Sequence, residues 1–133
     1  MFKILRNFIL VLLFITPIIA CSQCNVTNGN YSSSGGSEQS TTLSLSNNND
    51  FYLQYENWQP GNYESREINK IKGVWECKGK LVTIELNGVK ISAKKIIIGK
   101  NPLGLGENTK ALQFTNAPVN SFLFNEILYL TPE

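Results

Sequence analysis

Leu81 to Lys95 reads "LVTIELNGVKISAKK", and its pattern decides the fold class. Val82, Ile84 and Leu86 alternate with polar neighbours, Asn87-Gly88 follows, and Val89, Ile91 and Ala93 alternate again. Period-two alternation places one set of side chains on a buried face and the other in water. Asn-Gly accepts the positive φ of a tight hairpin turn, so two arms flanking it read as an antiparallel pair. Lys94 to Ile98 extends the second arm or forms a short neighbour.

Outward from this hairpin the same pattern recurs. Upstream, Leu43 and Leu45 share a face, Asn47-Asn48-Asn49-Asp50 forms a turn cluster, and Phe51, Leu53 and Tyr55 repeat at period two. After Gln59-Pro60-Gly61-Asn62, Ile68 to Cys77 is extended again, with Gly73 marking a bend or bulge. Downstream, Leu112 and Phe114 indicate one strand and Phe122 to Leu130 the last. No segment carries a helical period. Seven or eight short strands joined by tight turns predict an all-β antiparallel meander. Closing it into a small barrel, fully or in part, removes exposed edges; a two-layer β-sandwich is the alternative.

The N-terminus belongs to another kind of element. Lys3 and Arg6 precede an apolar block from Phe8 to Ile19, the size of a signal h-region and short of the ~20 residues of a membrane-spanning helix. Ile18-Ile19-Ala20-Cys21 resembles the lipobox of bacterial lipoproteins. The resemblance implies a signal peptide over 1–20, cleavage before Cys21, and acylation of that cysteine, with a tether over 21–29 and a barrel-like domain over 30–133. Ser22 resembles the outer-membrane sorting signal of Gram-negative lipoproteins, which implies a periplasm-facing outer-membrane lipoprotein; in a Gram-positive cell the same anchor would face outward from the single membrane. Two other readings stay open: an uncleaved signal anchor, and an ordinary secretory leader with Asn25 and Asn30 as glycosylation acceptors.

The chain has three cysteines. If Cys21 carries lipid, "CSQC" has no redox chemistry left, and Cys24 and Cys77 are the number one disulfide needs. A ring of that length stabilises by roughly 4 kcal/mol in the chain-entropy estimate. With 42% hydrophobic residues overall, many of them in the leader, the remaining core is modest and a bridge is useful. Two free thiols are the alternative. The 12 Lys+Arg include Lys3 and Arg6, so the chain beyond the leader balances its 10 Asp+Glu. It shows no basic patch, which argues against nucleic acid as a partner.

"GNY" at Gly29, "TTLSL", "DFYLQY" and "GVWECKGKLVTIEL" together resemble the N-terminal domain of NlpE-like copper-resistance lipoproteins, small barrels related in architecture to lipocalins. That resemblance implies a barrel, and a lipocalin-like carrier of a small apolar ligand as one function. Its copper chemistry does not transfer: the sequence has no histidine, Met1 is the sole methionine, and Cys21 is the lipid site. No metal or other cofactor is expected.

Absence of histidine also removes Ser-His-Asp, Cys-His and His-metal arrangements. Glu64 and Glu67 suggest a glycosidase-like pair only weakly and read better as a polar strand edge beside Arg66. Asp50 with its asparagines reads as a turn, not a calcium loop. "GKNPLGLGENTK", Gly99 to Lys110, lacks the Lys-Ser/Thr of a phosphate loop and reads as an inter-strand connection. Its Leu103 and Leu105 either tuck onto the barrel end or offer an apolar lip. Tyr52, Tyr55, Trp58 and Tyr63 surround Pro60-Gly61, and aromatics of this kind are favoured in recognition surfaces. Tyr55, Trp58, Tyr63, Leu103 and Leu105 are therefore the candidate binding residues. The expected function is a non-enzymatic, lipid-anchored envelope module that binds a partner protein or senses stress.

Overall fold

Eight strands follow one another around a closed barrel, each antiparallel to the next: β1 (Gly29–Ser32), β2 (Gln39–Leu45), β3 (Asp50–Gln59), β4 (Asn62–Lys78), β5 (Leu81–Leu86), β6 (Val89–Lys100), β7 (Glu107–Phe114) and β8 (Ile127–Leu130). This computed structural model describes residues 23–34, 38–100, 104 and 107–132, and no helix occurs among them. The leader, Cys21, Leu103 and Leu105 lie outside the described residues. The barrel replaces the two-layer sandwich. Its seam is narrow: Tyr31 pairs with Leu130 and Ser32 with Tyr129. Thr131 strengthens it, its backbone N–H and hydroxyl both donating to the carbonyl of Asn30, at 2.8 and 3.0 Å.

Alternation builds the interior. Leu43 and Leu45, Phe51 and Leu53, Val82, Ile84 and Leu86, then Ile91 and Ala93 all point inward and are buried. Full burial of each large apolar side chain contributes about 1.5–3 kcal/mol. The Asn87-Gly88 turn has φ of 52° and 79°, so both central residues adopt the left-handed region that this pair tolerates.

Because the chain runs up and down, connections alternate between two ends. The near end carries Gln23–Asn28, the β2–β3 and β4–β5 turns, and the β6–β7 connection; the far end carries the β3–β4 and β5–β6 turns and the long β7–β8 loop. Each end is plugged by a side chain. Val26 enters the core from the near end, and Leu123, fully buried, enters with Ala117 from the far end. Tyr31 donates its phenol proton to the Thr27 carbonyl at 2.6 Å, and burial pushes its pKa up to about 12.

The segment expected to be a tether is held to the barrel from Gln23 onward. Cys24 and Cys77 form a disulfide across 53 positions, and Cys24 bridges to Gly79. Asn25 N–H donates to the Gly79 carbonyl at 2.7 Å, and Gly79 N–H donates to Gln23 O at 3.0 Å.

Three local expectations change. The β3–β4 ladder passes through Gly73 opposite Phe51 without interruption; the register shift lies instead between Asn57 and Gln59. Gly73 is needed because a Cβ there would sit 2.8 Å from Phe51 Cε1. Strand β4 starts at Asn62, well before the apolar alternation begins at Ile68, because β3 supplies the ladder as far as Gln59↔Asn62. The last strand is only Ile127–Leu130. Phe122 to Glu126 turns instead, with Asn125 at φ 54° and Glu126 N–H donating to Leu123 O at 3.1 Å, which lets Leu123 fill the barrel mouth.

Candidate functional site

The β3–β4 hairpin outgrows the barrel. Strand β5 pairs only with Trp75–Lys78 of β4, so Asn62–Val74 has no strand on that side among those described. What remains is a ribbon that projects at the far end, and it carries the aromatic run.

Trp58 and Tyr63 meet edge to face, with ring centroids 5.1 Å apart and planes at 78°. Arg66 lays its guanidinium 4.7 Å over the Tyr63 ring, an exposed cation–π contact of about 0.5–1 kcal/mol. The tip is braced locally. Trp58 N–H donates to Glu38 O at 3.0 Å, Gln59 N–H donates to Ser65 Oγ at 2.9 Å, and Ser65 Oγ donates to Asn62 O at 2.7 Å. The bulge at Asn57–Gln59 lets Trp58 turn toward Tyr63 instead of following the strict alternation of the strand. Gly61, at φ 72°, closes the turn.

Tyr55 belongs to a different arrangement. Its ring stacks on Phe122 of the β7–β8 loop, centroids 4.5 Å apart and planes at 14°, and its hydroxyl donates to Gln39 Oε1 at 3.3 Å. Tyr55 thus ties the mouth loop to the ribbon. In the same β7–β8 loop, burial raises the pKa of Glu126 above the usual carboxylate value.

The expected binding residues accordingly separate. Half-buried Trp58 forms one cluster with exposed Tyr63 and Arg66, Tyr55 packs under the loop, and Tyr52 stands on the outer face near Lys72. Leu103 and Leu105 lie outside the described residues, and the pair Lys100↔Glu107 that flanks their connection is at the near end. Arg66 and Phe122 were not among the expected residues. The spacing Tyr63-x-x-Arg66 offered a signal for the first; nothing local marked the second.

The other sequence candidates resolve simply. Glu64 and Glu67 are exposed on the ribbon, where Glu67 pairs with Asn57 in the ladder. Asn47 to Asp50 is a turn: Ser46 N–H donates to Asp50 O at 3.0 Å, and Asn49 takes φ 65°. A depression of about 470 Å³ lies on the outer face over β4, β5 and β6, lined by Val74, Glu76, Thr83, Glu85 and Lys90. Another, of about 490 Å³, lies along β3 and β4 and includes Tyr52, Lys70 and Lys72.

No protein-family model, curated protein or solved structure matches the chain.

Proposed function

We propose that this protein is a lipid-anchored, non-enzymatic module of the bacterial cell envelope, held by acylated Cys21 on the outer membrane and facing the periplasm. Its recognition element is the tip of the β3–β4 ribbon, and its partner is an envelope protein. One observation carries the reading: the chain enters the barrel at the near end, pinned at Cys24, while Trp58, Tyr63 and Arg66 project from the far end. An anchor at one pole and an aromatic–arginine cluster with exposed Tyr63 and Arg66 at the other suit a protein that reaches away from its membrane. Aromatic and arginine side chains are the types most enriched at binding hot spots. A lipocalin-like carrier is less well supported, because apolar side chains occupy the barrel axis and Val26 and Leu123 plug both ends.

The test has two parts. Intact mass of the membrane-extracted protein should give a chain beginning at Cys21 with added acyl mass. A photo-crosslinker at Tyr63 should capture a discrete envelope protein, and Trp58→Ala should abolish the capture. An unacylated chain, or capture indifferent to Trp58, would reject the corresponding half.

A further inference from the structure

The balanced charge of the chain beyond its leader conceals a division between the two ends. Lys78, Lys80, Lys94, Lys95, Lys100 and Lys110 all fall on near-end portions of β4 to β7, although they are scattered through the sequence. The acidic residues at that end are Asp50 and Glu76, with Glu107 at the start of β7. The far end reverses the balance, with Glu38, Glu56, Glu64, Glu67, Glu85 and Glu126 against Arg66 and Lys90, while Lys70 and Lys72 lie between the two ends opposite Gln54 and Tyr52. The absence of a basic run in the sequence was therefore misleading, because the meander assembles a basic patch from three strands and the β4–β5 turn.

That patch surrounds the entering chain. Lys95 Nζ donates to Asn25 Oδ1 at 3.4 Å, and Lys110 Nζ donates to Thr27 Oγ1 at 3.0 Å. Lys95 N–H also donates to Lys80 O at 2.8 Å, fixing the middle of β6 beside the β4–β5 turn. Lys78, Lys80, Lys94 and Lys100 are exposed around this segment. Only Gln23 and Ser22 separate Cys24 from Cys21, so an anchor at Cys21 brings this end to the headgroups.

We propose that the near end is a docking face for the anionic headgroups of the bilayer, which hold the anchored barrel end-on with its aromatic ribbon outward. The inference rests on the N-terminal anchoring proposed above. Each lysine close to an anionic surface strengthens its attraction by roughly fivefold, and the attraction fades within a Debye length. An acidic far end is repelled by the same surface, so the two ends favour one orientation.

The full chain, extracted from membranes, is reconstituted into phosphatidylcholine vesicles with and without phosphatidylglycerol. The acylation rate of each lysine is then read by mass spectrometry. Lys78, Lys80, Lys94 and Lys100 should label severalfold more slowly on the anionic vesicles, with Lys90, beside the far-end β5–β6 turn, unchanged. Molar salt, where the Debye length falls to ~3 Å, should erase the difference. Lys80→Glu with Lys94→Glu, both at exposed positions, should restore labelling at Lys78 and Lys100 while circular dichroism stays unchanged. Equal labelling on both vesicle types overturns the proposal, as does protection that extends to Lys90. Equal protection by a soluble acidic polysaccharide would also overturn it, in favour of an acidic envelope polymer. Failure of the anchor itself looks different: the protein would leave neutral vesicles altogether.

Discussion

Gly73→Ala tests the packing of the barrel with a single added methyl group. Gly73 is extended and outside the positive-φ set, so alanine brings no backbone strain there. The whole effect must come from space. The new Cβ would stand 2.8 Å from Phe51 Cε1 and 3.1 Å from Cζ, while Phe51 is fully buried opposite it in the ladder. The ring can yield only by pushing on neighbouring core side chains, and overpacking of this kind costs about 1–3 kcal/mol. For a domain of about this size, each kcal/mol lowers Tm by roughly 4–8 °C. Gly99→Ala is the control, since nothing lies within 4 Å of its added Cβ and its φ is not positive. Urea unfolding under non-reducing conditions, followed by the fluorescence of buried Trp75, measures both. Phe51→Leu in the Gly73→Ala background should recover part of the loss, a coupling that only direct contact produces. If Gly73→Ala were as stable as Gly99→Ala, to within about 0.5 kcal/mol, the reasoning would fail.

Three further outcomes follow from the same structure. Cys77→Ser, or reduction, should cost roughly 4 kcal/mol by the chain-entropy estimate for a 53-residue separation, read as a lower urea midpoint. Leu123→Ala should cost about 2–5 kcal/mol, the range for emptying a fully buried leucine site, although the residue lies in a loop. Glu126 has a raised folded-state pKa, so the folded chain holds its proton more tightly and stability declines as pH rises from the unfolded value through the folded one. Glu126→Gln should therefore be the more stable protein at neutral pH, an advantage that a Tm series should show vanishing in acid.

The sequence made the middle of the barrel legible because one face is buried and the other wet throughout. Leu43 to Leu45, Phe51 to Leu53 and Val82 to Ala93 alternate for that reason, and Asn87-Gly88 marks the turn that joins two of them. The disulfide was legible by elimination among three cysteines. The segment Phe122 to Glu126 was not, since apolar residues that plug a barrel mouth from a loop look like those of a strand. Closure was expected because it removes exposed edges, but the β1–β8 seam that makes it joins residues about a hundred positions apart and has no local signature. At the ribbon, proximity in sequence grouped Tyr55 with Trp58, but strand parity and the bulge sent the two rings to different neighbours. Charge behaved likewise, because a total cannot reveal how a meander sorts its lysines.

An even number of antiparallel strands returns a chain to the end from which it set out. Thr131 hydrogen-bonds to Asn30, so the last described residues lie beside the first strand, at the same end as Cys24. This governs how the protein can be handled. A reporter joined beyond Thr131 would emerge beside the N-terminal segment and, under the proposed anchoring, would crowd the gap between barrel and membrane. A reporter inserted at Pro60-Gly61 would stand at the opposite end but cover the aromatic cluster. The Asn87-Gly88 turn, exposed at the far end and short of the ribbon tip, is the position where an epitope would leave both surfaces free.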